Sequence, residues 1–94
     1  MKIEFDPEKS ARNARERGLP FELTTEVDWN AAHIVEDTRR DYGEPRFLAY
    51  APIRGRIHVV CFCLRGDAFR IISFRKANHR EEKFYAEEKA APDR

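Results

Sequence analysis

The chain has 94 residues, with 18 Lys and Arg against 17 Asp and Glu, a formal net charge of +1. That balance excludes a polycationic tail and an acidic, self-repelling disordered chain, and the length supports one domain over residues 1–94 with one modest core. No apolar run approaches the ~20 residues that span a bilayer, and the N-terminus lacks the apolar stretch of a secretion signal, so the expected location is the cytoplasm with no membrane partner.

Lys2 to Phe5 alternates Ile3 and Phe5 with polar residues, which predicts a short strand. Asp6-Pro7 then opens a helix over 7–17: Asp6 caps free N–H groups, Pro7 suits the first helical position, and Gly18 supplies the left-handed stop. Its apolar face is poor, with Ala11 and Ala14 the main candidates. A second short helix is expected over 21–27, before Trp29. A strand over 32–36 precedes a polar loop at 37–44, and three strands rich in β-branched and aromatic residues follow at 46–53, 56–64 and 69–75. Breakers at 52–55 and 65–67 predict hairpins between them. Asn78 with Glu81 has capping-box spacing, and Ala90-Ala91-Pro92 marks the end of a last helix anchored by Phe84 and Tyr85. The fold class is α+β: an antiparallel sheet of about four to five strands with two N-terminal helices and one C-terminal helix, in the order β-α-α-β-β-β-β-α.

The strand over 56–64 carries Val59, Cys61 and Cys63 on one side and Val60, Phe62 and Leu64 on the other, so the sheet needs cover on both faces. With three short helices, part of that cover is expected from another chain. Cys61 and Cys63 share a face and are badly placed to bridge each other, which makes them free core thiols. C-x-C and three scattered histidines offer too few ligands at suitable spacing for zinc, so no metal or cofactor is expected.

The net charge conceals an asymmetry. Residues 45–80 carry Arg46, Arg54, Arg56, Arg65, Arg70, Arg75, Lys76 and Arg80 against Asp67 alone, a local +7, and the remainder carries −6. Such a segment suits a polyanion or an acidic protein, or it is a solvated face. Arg70 and Arg75 are five apart in a strand and point to opposite faces. A hairpin with 65–68 in its loop pairs Leu64 with Phe69 and His58 with Arg75. Glu81 and Tyr85 share a helix face. A junction holding Arg75, Lys76, Arg80, Glu81 and Tyr85 has what RNA cleavage beside a 2′-hydroxyl requires: a proton acceptor, charge for the phosphorane and a proton donor. The alternative is that Glu81 caps the helix, Tyr85 fills core and the arginines pair with acids.

Several ordered segments resemble the BrnT toxin family: Phe5-Asp6-Pro7-Glu8-Lys9, Asn13, Arg17-Gly18-Leu19-Pro20-Phe21-Glu22, Asp41-Tyr42-Gly43-Glu44-Pro45-Arg46, Gly55-Arg56, Arg70 to Ala77, and Glu81 with Tyr85. Phe5 stands where the family often has Trp, Glu16-Arg17 where it has Lys-His, and Phe74 where it has a small residue. The resemblance implies a RelE-like fold and a metal-independent endoribonuclease that arrests translation. It also implies neutralisation by a BrnA-type ribbon-helix-helix antitoxin, in a heterotetramer or beside a toxin homodimer. The implied catalytic residues are Arg65, Arg70, Arg75, Glu81, Tyr85 and His58, and the implied RNA-binding residues are Arg46, Arg56, Lys76 and Arg80. DNA is reached only through the antitoxin, because no helix here carries a purely basic face: Arg12 and Arg15 are offset by Glu8 and Glu16. The competing expectation is a non-catalytic module that docks an antitoxin and acts with it as a transcriptional co-repressor.

Overall fold

In the computed structural model, which describes residues 2–91, the first strand β1 (Lys2–Phe5) leads through Asp6 into helix α1 (Pro7–Arg17). The Asp6 carboxylate accepts from the Glu8 N–H at 2.9 Å, and Gly18, at φ 70°, donates its N–H to Ala14 O. The next helix, Phe21–Glu26, is a 3₁₀ segment rather than an α-helix. Its polar side chains explain the tighter turn: Thr24 and Thr25 donate their hydroxyls to the carbonyls of Phe21 and Glu22, three residues back. Buried Ser10 of α1 accepts from the Phe21 N–H and donates to Glu22, so the segment starts where α1 anchors it. A further 3₁₀ turn, Trp29–Ala31, is capped by Asp28 and has no counterpart in the sequence reading.

The other strands are β2 (His33–Glu36), β3 (Phe47–Ile53), β4 (Arg56–Arg65) and β5 (Ala68–Lys76), followed by α2 (His79–Ala90). They form a five-stranded sheet in the order β1-β5-β4-β3-β2. The first hairpin closes where expected, and the second is tighter than expected by one rung. Ile53 pairs with Arg56 across Arg54-Gly55, both at positive φ, and Arg65 pairs with Ala68 across Gly66-Asp67. The sheet is mixed rather than antiparallel throughout, because β1 lies parallel to β5. Hairpin turns force antiparallel pairing between β3, β4 and β5. β1 leaves the sheet through a helix and is under no such constraint.

Cα partners in the ladder define two faces. One carries Ala49, Val60, Phe74, Phe62 and Ile71, which meet Leu19, Phe21 and Val27 in a single hydrophobic cluster. Trp29 stands edge-on to Phe62 and Phe69 at 5.6 and 5.1 Å between centroids. Asn13 of α1 donates to Leu19 O at 2.7 Å and Phe74 O at 2.8 Å, tying helix to sheet. The other face carries His33, Tyr50, Val59 and Arg75 in one row and Val35, Leu48, Cys61 and Ser73 in the next. α2 crosses the first row, with the Phe84 ring 5.2 Å from Tyr50 and 5.4 Å from His33. Val59, Cys61 and Cys63 are all buried within the chain itself, so their cover needs no second chain. Both thiols are free. The proline at 92, expected to close the last helix, lies outside the described residues.

Candidate functional site

The charged face is assembled from even-numbered residues of β3 and odd-numbered residues of β4, with Arg70 and Arg75 from β5. Arg70 and Arg75 are brought to the same face because the ladder slips between them: Cys61 pairs with Ser73 but Phe62 with Ile71, leaving Ile72 as an extra residue. A bulge shifts the alternation by one. The same slip moves His58 opposite Lys76 and gives Arg75 to Val59, so the expected pairing of His58 with Arg75 does not form. Leu64 does pair with Phe69, since that rung lies on the hairpin side of the bulge. His58 lies on the apolar face. Its Nδ1 donates to Arg56 O at 2.7 Å and its ring lies 5.4 Å from Phe74; burial, with Arg56 and Lys76 nearby, holds its pKa below the ordinary value.

Arg75 and Glu81 form a bidentate pair, 2.7 and 2.8 Å, across the junction from β5 to α2. Glu81 also closes the capping box, accepting from the Asn78 N–H at 2.9 Å while Asn78 accepts from the Glu81 N–H at 2.8 Å. The Arg75 guanidinium, chiefly, holds the Glu81 carboxyl below its usual range, and Glu81 raises Arg75 in turn. Tyr50 flanks Val59 from the other side, about 10 Å from Arg75 between backbones, two strand spacings. Burial pushes its phenol pKa up, with the Glu81 charge adding to the effect. The Tyr85 hydroxyl is directed elsewhere: it donates to Ala31 O at 2.7 Å and ties α2 to the 3₁₀ turn.

The remaining basic residues separate. Arg46 shares the charged face, its guanidinium 4.2 Å above the Tyr42 ring. Arg70 faces Glu4 at 3.9 Å, and Arg65 donates to Glu44 at 3.2 Å by the hairpin turn. Arg56 is paired with Glu82 and donates to Ala77 O, Lys76 is exposed on the His58 side, and Arg80 is exposed on α2. Arg54 pairs with Glu26. Five of the eight cations of 45–80 thus meet carboxylates from outside that segment. The opposed charges along the sequence are interleaved in space.

Three residues of the charged face were not anticipated: Tyr50, Asp37 and Arg39. Period two supplied a signal for Tyr50, which falls on the same face as Arg46 and Leu48, and for Asp37, which continues the series His33, Val35. Arg39 lay outside the basic segment and had no such signal.

A family model described as the ribonuclease toxin BrnT of a type II toxin–antitoxin system matches residues 5–81. No curated protein matches the chain. The family match runs from the last residue of β1 through β2, β3, β4 and β5 to Glu81, and so includes both members of the Arg75–Glu81 pair. Covering most of the sequence, it shows that the chain belongs to the BrnT family of ribonuclease toxins of type II toxin–antitoxin systems.

Proposed function

We propose that the chain is a RelE-like endoribonuclease that cleaves RNA on the charged sheet face, arrests translation, and is held inactive by a BrnA-type ribbon-helix-helix antitoxin occupying the same face in a heterotetramer. The observation that carries this reading is the grouping of Arg75, Glu81 and Tyr50 around one row of the sheet. A scissile phosphate competes with Glu81 for the Arg75 guanidinium, which matches two phosphate oxygens as well as two carboxylate oxygens. Once Arg75 turns to phosphate, the main cause of the lowered Glu81 pKa is removed. Oε1 stays on the Asn78 N–H, and Oε2 is left free to take a proton.

The 2′-hydroxyl oxygen then attacks phosphorus while its proton passes to Glu81. The bond from phosphorus to the 5′-oxygen breaks, and that oxygen takes the phenolic proton of Tyr50. The products are a 2′,3′-cyclic phosphate and a 5′-hydroxyl; Glu81 returns its proton and Tyr50 regains one through solvent. Arg75 bears the phosphorane charge. Tyr50 takes the donor role in place of Tyr85, whose proton is engaged by Ala31 O. Arg65 and Arg70 face the flanking phosphates, Arg46 binds RNA from its place on the Tyr42 ring, and His58, on the far face, serves packing.

The test is incubation of purified protein with single-stranded RNA, together with induced expression in the absence of antitoxin. Wild type should cleave and halt growth, and Arg75→Ala should do neither. A second reading, the non-catalytic co-repressor module, is favoured by the mutual saturation of Arg75 and Glu81. Cleavage that disappears in Arg75→Ala excludes it.

A further inference from the structure

Ten residues, Asp37 to Arg46, join β2 to β3, a long connection for adjacent antiparallel strands. Asp37 organises it. Its N–H donates to Arg46 O at 2.7 Å, which adds one rung to the ladder. Its carboxylate accepts from Arg39 Nε and Nη2, both at 2.8 Å, from the Arg39 N–H at 3.2 Å and from the Tyr42 hydroxyl at 3.1 Å. The Asp37 side chain is 1% exposed while that of Arg39 is 71% exposed. An ordinary surface ion pair leaves both partners in water and contributes little. Here the acid is enclosed and the cation faces outward, so the product of the pair is an immobilised, accessible guanidinium. The donors hold the Asp37 carboxyl far below the usual range, Arg39 being the main cause, so the anchor stays charged across the working pH range.

Tyr42, held through its hydroxyl, carries Arg46 on its ring. Among the described residues no carboxylate lies within ion-pair distance of Arg46, and its buried Nε has no acceptor. Stacking, not salt bridging, therefore fixes this guanidinium. A stacked arginine and tyrosine present the flat, cationic surface on which unpaired nucleobases settle. Arg39 is near enough for its charge to bear on both Arg75 and Tyr50.

We infer that the loop Asp37–Arg46 is a grip for single-stranded RNA: Arg39 holds a phosphate next to the scissile one, the Tyr42–Arg46 pair stacks the adjoining base, and Asp37 is the positioning residue that touches no RNA. The choice of RNA as ligand rests on the nuclease reading. The loop's own role is tested apart from chemistry by binding of a 2′-O-methyl oligonucleotide, which lacks the attacking hydroxyl.

Asp37→Asn and Tyr42→Ala should each weaken that binding about tenfold, the scale of one lost stacking contact. Arg39→Gln should flatten the plot of log Kd against log salt by about 0.7, one phosphate contact on a single strand. In cleavage assays the loss should fall on KM more than on kcat, and Asp37→Glu should recover part of it. Unchanged affinity in Tyr42→Ala, equal affinity for duplex RNA, or a loss confined to kcat would overturn the inference. If Asp37→Asn does not fold, the Tyr42 and Arg39 variants decide. Binding through the loop without cleavage by wild type removes the nuclease reading and leaves the grip; cleavage with unaltered affinity in the loop variants does the reverse.

Discussion

The two faces of the sheet are made from alternate residues of the same strands, and they hold their side chains by different means. On the face beneath α1, Ala49, Val60 and Phe74 are fully buried and are fixed by contact with other apolar groups. On the opposite face Arg75, Arg70 and Arg65 are fixed by carboxylates on α2, β1 and the loop before β3. Contacts of the first kind cannot be exchanged without leaving a void. Ion pairs of the second kind can be exchanged for another anion, and a phosphate or an antitoxin carboxylate is such an anion. Adjacent residues of β5 therefore divide the work: Phe74 holds the fold, and Arg75, in the proposed function, is the residue that faces the ligand.

Substituting these neighbours tests that division most severely. Phe74→Ala should cost about 3–5 kcal/mol, the range for losing a buried aromatic ring, and should lower the melting temperature by well over 10 °C, on the order of 4–8 °C per kcal/mol for a domain this size. Arg75→Ala should reduce kcat for RNA cleavage by about 10²–10³-fold, while its thermal unfolding stays much closer to wild type. A large loss of stability in Arg75→Ala would mean that the pair with Glu81 serves the fold first.

Asn13→Ala probes how the apolar face is tied to α1. It removes the donor shared by Leu19 O and Phe74 O, and about 1–3 kcal/mol should be lost in chemical denaturation with kcat retained. The smallest effect concerns His58. Its folded pKa lies below 6.5, so its contribution to stability is full above about pH 6.5 and is lost as pH falls through the lower folded value. Melting temperatures measured from about pH 7 to 5 should fall further in wild type than in His58→Gln. Glu81, whose carboxyl is lowered, contributes in the opposite part of the scale: its share is present above about pH 4.5 and disappears only in more acidic solution.

Much of the fold was legible locally. Asp6, Pro7 and Gly18 mark the ends of α1, Asn78 and Glu81 begin α2, and Gly55 and Gly66 lie in the hairpin turns. The site was legible only as a set of candidate residues. The contact of Arg75 with Glu81 follows from the strand-to-helix junction, but the placement of Tyr85 on Ala31 O and of His58 opposite Lys76 does not, since a hydroxyl's direction and a shift in rung leave no mark in composition. Glu81 does cap α2 and five of the arginines do pair with acids, and the proposed site is compatible with this because a bound anion would replace the carboxylate in such a pair.

The amino-acid sequence by itself determined the five strands and the first and last helices, their approximate ends and the opposition of a basic strand region to an acidic remainder, because capping, turn geometry and side-chain period act over a few residues. Tertiary structure alone decided that Ile72 forms a bulge and so turns Arg70 and Arg75 to one face, that β1 runs parallel to β5, and that Asp37 binds Arg39 and Tyr42 beside them. Those outcomes depend on the register of whole ladders and on which side chains remain enclosed once the core has closed.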